Sequence, residues 1–220
     1  MIDPTKLAAG TLGLAGVSGA TYFGIKEFTK EDLTPHLVST KLEKGVLDTK
    51  GNDSLWTSRD TELGNHTNPI DPDLSSIKAI TSPDGERKKR LIGWCEQKYK
   101  EDSRALKSGV FEEVQKFCTR KISEQIQGRT EITEEATTGS SSKWNNPWTQ
   151  LKGESVKEDT LFGDFKTART THKSKGTGTE GETALKTALK TACEKYKKFP
   201  YLNENDMLFK NVSDYCYSAS

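Results

Sequence analysis

No cysteine pair of the Cys-x-x-Cys kind occurs in this 220-residue chain, and its four cysteines come no closer than 23 positions apart. The common structural zinc sites are built from such close pairs, so no metal centre is expected. Histidine is scarce as well. The three histidines, His36, His66 and His172, sit in stretches that read as loops, with no motif that would set a base beside a thiol, so no catalytic dyad is expected. Charge of one sign is not in excess: 33 basic against 32 acidic residues leave a formal +1, and no basic stripe with interleaved aromatics appears. That balance gives no long-range attraction toward nucleic acid, which is not expected as a partner. Apolar residues make up only 32% and charged residues 30%. Small domains of this polarity bury little surface and benefit from covalent staples. Carboxylates are plentiful but fall on solvated faces, and no pair stands out for acid–base work. The chain therefore reads as non-enzymatic, with no catalytic residues, no cofactor and no metal.

One long uncharged run is present. Leu7 to Ile25 is 19 residues without a charge, which as a helix spans roughly 28 Å, close to the hydrocarbon core of a bilayer. Gly10, Gly13, Gly16, Gly19 and Gly24 lower both its helix propensity and its hydrophobicity. They form no Gly-x-Gly-x-x-Gly among themselves and end in no Gly-Lys-Ser/Thr, so they are not a phosphate loop. Tyr22, Phe23 and Phe28 fall where an interfacial aromatic belt belongs. The leading reading is a transmembrane or signal-anchor helix over 7–25, after a flank at 1–6. A cleavable leader ending at Ser18-Gly19-Ala20 and a soluble glycine-rich segment are the alternatives. Lys26 and Lys30 follow the run while only Lys6 precedes it, which taken locally keeps the bulk of the chain in the cytoplasm. Against that stand the cysteines.

Cys95 and Cys118, and again Cys193 and Cys216, are each 23 positions apart. The interiors match when superposed: Cys95-Glu96 on Cys193-Glu194, Lys100 on Lys198, Val110 on Leu208, Phe111 on Phe209, Val114 on Val212, and Phe117 on Tyr215. Leu91 and Leu189 extend the match upstream, and a Trp-Thr pair, Trp56-Thr57 or Trp148-Thr149, precedes each copy. An even cysteine count at a repeated spacing in small polar modules points to disulfides and an oxidising exterior. Four cysteines allow three pairings. The local one, Cys95 with Cys118 and Cys193 with Cys216, is preferred because each copy carries its own pair.

Apolar spacing of three and four residues fills both copies. Leu91, Cys95, Tyr99 and Leu106 line a first helix entered at Ser82-Pro83 and ending at Ser108-Gly109, and Phe111, Val114, Phe117 and Ile122 line a second. Leu185, Leu189, Ala192 and Tyr196 repeat the first stripe, with Pro200 ending it. Leu208, Val212 and Tyr215 repeat the second, capped by Asn203 or Asn205. The expected fold is mostly α: the N-terminal hydrophobic helix, then module one over 26–128 and a linker with module two over 129–220. Each module is expected to be an antiparallel helical hairpin pinned by its cysteines, with Trp56, Trp94, Trp144 and Trp148 filling thin cores. The run Arg87-Lys88-Lys89-Arg90 reads as a solvated helix face. Asn52, Asn65 and Asn211 head formal glycosylation sequons.

The opening Lys6-Leu-Ala-Ala-Gly-Thr-Leu-Gly-Leu-Ala-Gly, the stretch Leu91-Ile-Gly-Trp-Cys95, and the endings Val114-Gln-Lys-Phe-Cys-Thr119 and Val212-Ser-Asp-Tyr-Cys216 resemble the large paralogous families of uncharacterised membrane and surface proteins of haemotropic mycoplasmas. The resemblance implies a single N-terminal hydrophobic segment, a wall-less bacterium, surface exposure and no assigned activity; this chain departs from it in carrying the module twice. The functional expectation is a membrane-anchored surface protein acting in host contact or antigenic variation, with the bilayer (through 7–25) and a host surface protein as partners. A cytoplasmic interaction module with reduced cysteines is the alternative.

Overall fold

The computed structural model describes residues 36–136, 142–175 and 178–219, the side chains of 171–175 excepted. The expected membrane helix at 7–25 lies outside the described residues. Among the described residues no helix is long and apolar enough to cross a membrane.

The body is mostly helical. Its elements are α1 (Val38–Leu42), α2 (Asp53–Gly64), α3 (Pro72–Lys78), α4 (Glu86–Lys98), α5 (Ser108–Phe117), β1 (Arg129–Glu131), α6 (Asn145–Lys152), α7 (Gly163–Lys175), α8 (Thr179–Tyr196), α9 (Met207–Tyr215) and β2 (Tyr217–Ala219). Short 3-10 turns at Glu43–Gly45, Ile122–Glu124 and Glu158–Thr160 join them. Local chemistry sets several starts. Asp71 caps α3, its side chain accepting from the amides of Asp73 and Leu74, with Pro72 in the first helical position where a missing N–H costs nothing. Asp206 caps α9 by accepting from Phe209 N at 2.9 Å; Asn203 instead makes a local turn by accepting from Asn205 N. Ser82 caps nothing: the Ser82–Pro83 peptide is cis, and α4 starts after Gly85, whose φ of +81° suits glycine.

The helix expected to run to Ser108-Gly109 stops at Lys98, and this changes the packing of each cysteine pair. Cys95 lies in the last turn of α4 and Cys118 is the residue that ends α5; Cys193 and Cys216 stand likewise in α8 and after α9. In a tight antiparallel hairpin the end of the first helix meets the start of the second, and the far end of a ten-residue helix is about 15 Å away. Here two helix ends meet instead. The connectors 99–107 and 197–206 carry the chain out far enough for the second helix to return to the end of the first.

Backbone pairing repeats between the halves. Val38 N donates to Glu101 O at 3.0 Å, Ser39 N to Tyr99 O at 3.2 Å, and Ser103 N to His36 O at 2.8 Å. Ile122 N donates to Phe199 O at 3.0 Å, Ser123 N to Lys197 O at 3.0 Å, and Tyr201 N to Arg120 O at 2.8 Å. Each trio ties the chain entering a copy to the connector of that copy, and the two connectors differ by the offset that carries Cys95 to Cys193. Further along, Leu47 N donates to Cys118 O and Ile132 N to Cys216 O, both at 3.0 Å. Val46 bridges Thr119 as Glu131 pairs with Tyr217 in the β1–β2 ribbon. Trp56 Nε1 donates to Asp48 O at 2.9 Å, and Trp144 Nε1 to Glu134 O at 3.1 Å. Leu63 and Leu151, each seven residues beyond its tryptophan, are fully buried.

These correspondences start the second copy at Arg120, ahead of the join at 128/129 read from the sequence, because residues 120–123 play the part of 36–39. They also pair Trp56 with Trp144, not with Trp148. Trp148 is half-buried, with Lys152 Nζ 3.3 Å from the centre of its ring, so only Trp56, Trp94 and Trp144 are core tryptophans. In both copies the core is the superposed set: Leu91 and Leu189, Val110 and Leu208, Val114 and Val212, Phe117 and Tyr215, and the four cysteines, all buried.

Candidate functional site

The described cysteines are paired as Cys95–Cys118 and Cys193–Cys216, with Cα atoms 5.5 and 5.4 Å apart, and all four residues are buried. The sulfurs are therefore structural bridges inside the cores, closed to attack from solvent.

Five residues before the second cysteine of each bridge stands a buried polar residue. Glu113 on α5 is 4% exposed; its Oε1 accepts from Ile70 N at 2.6 Å and its Oε2 from Asp71 N at 3.0 Å. Asn211 on α9 stands at the matching position, 6% exposed; its Oδ1 accepts from Phe162 N at 2.7 Å and its Nδ2 donates to Thr160 O at 3.0 Å. Each holds the loop that opens α3 or α7 onto the α5 or α9 face. Asn211 is thereby spent, and as a glycosylation acceptor its buried amide is closed off. The repeat superposition could have exposed this pair, since both residues are polar at one register inside an apolar stripe.

His66, which the sequence places in a loop, joins the first network. Its Nε2 is 3.4 Å from Glu113 Oε1 and its Nδ1 is 3.0 Å from Lys116 Nζ. Burial and then the Lys116 charge hold its pKa below 6.5, so the ring is neutral at neutral pH. Asp71 continues the network: Trp94 Nε1 donates to its Oδ1 at 3.2 Å and Lys98 Nζ lies 3.1 Å from its Oδ2. Burial works to raise the Asp71 pKa, but Lys98, the Leu74 amide and Trp94 together outweigh it and the net direction is down. Among the described residues this network ties the loop before α3 to α4 and α5. His36 contributes its backbone carbonyl to the connector, and the side chain of His172 lies outside the described residues.

The seam between the copies is built from α2 and the entering chain of the second copy. Arg59, fully buried, donates through Nη2 to Thr119 O at 2.8 Å and to the Glu124 carboxylate at 2.7 Å. Lys121 pairs with Glu62 one turn further along α2. Arg120 N donates to Gly45 O at 2.7 Å and Lys44 N to Leu202 O at 3.1 Å. The approach at Gly45 is so close that a β-carbon there would lie 1.8 Å from the Tyr201 carbonyl oxygen. The basic run is less solvated than the sequence suggests: Arg87 grips Asp60 at 2.7 and 3.0 Å and Lys88 reaches Asp53 at 2.7 Å, fastening α4 to α2.

One open groove of about 640 Å³ runs between α3 and α4, with Ile77, Ile80 and the Trp94 edge as its apolar wall and Asp73, Lys89 and Arg90 on its rim. Among the described residues no group of three or more His, Cys, Asp or Glu side chains is placed to hold a metal ion. Gly176-Thr-Gly-Thr-Glu-Gly181 is a formal Gly-x-Gly-x-x-Gly at the entry to α8. A helix, α7, precedes it where the dinucleotide fingerprint needs a strand, so the match lacks that fingerprint's context. No family model, no curated protein and no solved structure matches the chain.

Proposed function

We propose that the chain is a single-pass, membrane-anchored surface protein that works by contact, not catalysis. In this reading residues 7–25 are the tether and the two disulfide-closed copies are displayed outside, for host contact or antigenic variation. The observation that carries the proposal is the pair of buried disulfides, one closing each copy, because such bonds form and persist where the surroundings are oxidising. The uncharged run at 7–25 supports the tether, and the groove between α3 and α4 offers a concave, mixed apolar and charged surface for a protein partner.

Protease shaving of intact cells tests the placement. Loss of both copies, with the N-terminal fragment kept in the membrane fraction, is the expected result. Full protection until lysis, together with alkylation of all four cysteines without prior reduction, would overturn it in favour of the cytoplasmic module with free thiols.

A further inference from the structure

Lys186 is the one lysine among the described residues that is fully buried. On α8, its Nζ lies 2.5 Å from Asn145 Oδ1 at the start of α6 and 2.6 Å from Glu182 Oε1 one turn back on its own helix. The Trp148 ring stands beside it, its centre 5.6 Å from Nζ. Glu182 keeps 24% of its side-chain surface exposed, so the cluster is dry at the lysine and open at the carboxylate.

The first copy supplies an internal comparison. Lys88, the residue that superposes on Lys186, ties α4 to the start of α2 through Asp53 at 2.7 Å, with side chains 27% and 85% exposed. The second copy differs in three ways: the lysine is sealed from water, the group it meets across the helices is the carboxamide of Asn145, at the register of Thr57, which Lys88 Nζ meets at 3.4 Å, and its carboxylate, Glu182, lies on its own helix in place of Asp53 across the gap. A plain structural ion pair needs none of these, since burial of a lysine is costly. Amide exchange needs all three: an amine that can shed its proton, a carbonyl carbon bearing a leaving nitrogen, and a proton relay within hydrogen-bond reach of the amine.

We propose that Lys186 and Asn145 form an intramolecular isopeptide bond, with Glu182 as the proton relay. The Glu182 carboxylate takes a proton from the Lys186 ammonium, and the neutral amine attacks Asn145 Cγ. The new Nζ–Cγ bond forms, the Cγ–Nδ2 bond breaks, and two protons from Nζ pass through Glu182 to the departing nitrogen. Ammonium leaves, one hydrogen stays on the new amide, and Glu182 ends as the carboxylate it began as. No electrons change hands and no co-reactant enters, so the reaction is independent of the compartment and of the surface reading above. Proximity supplies the rate, because the two side chains are held together by the fold. The product would lock α6 to α8 covalently beside the Cys193–Cys216 bridge.

Intact-mass measurement of the reduced, denatured full chain decides the matter. The expected mass is that of the sequence less one ammonia, with fragmentation locating a branched peptide that joins Lys186 to Asn145. E182Q, which keeps the size of the relay but cannot accept the proton, is expected to show the full sequence mass while still forming both disulfides. D53N in the first copy is the control, and there the loss stays at one ammonia because the Lys88 site is open to water. A wild-type chain that keeps its full sequence mass after prolonged incubation overturns the proposal, as does an ammonia loss mapped to any other residue pair.

Discussion

Glu113 and Asn211 fill one register of the two copies with different chemistry. Both accept from the backbone of a loop, but the carboxylate holds two amides and the carboxamide one amide and one carbonyl. Leaving buried backbone groups unpaired costs about 1–3 kcal/mol, so Glu113→Ala and Asn211→Ala are each expected to lower stability by about 2 kcal/mol in urea unfolding. Glu113→Gln keeps one acceptor oxygen and is expected to lose about half as much. His66 gives the same network a pH response. Its folded pKa is below 6.5, so under mild acid the unfolded chain binds the extra proton first. Stability is then whole above about pH 6.5 and falls as the pH drops below it. His66→Gln is expected to flatten that slope between pH 7 and 5, and an unchanged slope would place the response on another group. The repeat match marks Glu113 and Asn211 as polar at one register, but what they hold was not legible: a glutamate on a charged helix reads as solvated until the loop that covers it is known.

The bridges and the helices that carry them were the most legible elements. Equal cysteine spacing and matched apolar stripes pointed to two like cores, since both signals are properties of side-chain order along one helix. Helix ends were less legible. Lys98 ends α4 because the chain beyond it pairs with 36–39, and a backbone pairing of this kind is made by N–H and C=O groups that every residue carries. The same reason hid the start of the second copy at Arg120. It also misdirected the tryptophan match, which rested on a Trp-Thr dipeptide, whereas Trp144 is the tryptophan whose indole closes the second core. Each bridge encloses a loop worth about 3 kcal/mol in the chain-entropy picture. Cys95→Ala with Cys118→Ala is therefore expected to destabilise the first copy by about 3 kcal/mol, and the matching pair of changes the second copy by a similar amount, read as a lowered Tm. If only one of the two double variants moves, the copies do not depend on sulfur alike.

Across the body, the two copies share a seam as well as a chain, and the seam decides whether they unfold singly or together. Arg59 is its buried centre, held by Thr119 and by Glu124 on the entering chain of the second copy, and Gly45 admits the Tyr201 carbonyl where no side chain fits. Removing one partner of a buried ion pair leaves the other desolvated without compensation, at about 3–5 kcal/mol. Arg59→Ala is accordingly expected to cost more than any single surface change, and Glu124→Ala, whose carboxylate is partly solvated, to cost less. The double variant is expected to cost less than the two singles combined, since each deletion relieves the burden left by the other. Gly45→Val attacks the seam from the backbone side and tests the coupling directly. With Gly45 in place, fluorescence from Trp56 and Trp94 and from Trp144 and Trp148, read in Trp→Phe variants that keep one pair at a time, should trace one shared urea transition. In Gly45→Val the two curves should separate, because the contact that made each copy's folding favour the other's has been wedged open. Curves that stay coincident in Gly45→Val would mean that the coupling runs through Arg59 and Glu124 alone, and combining Gly45→Val with Arg59→Ala should then part them.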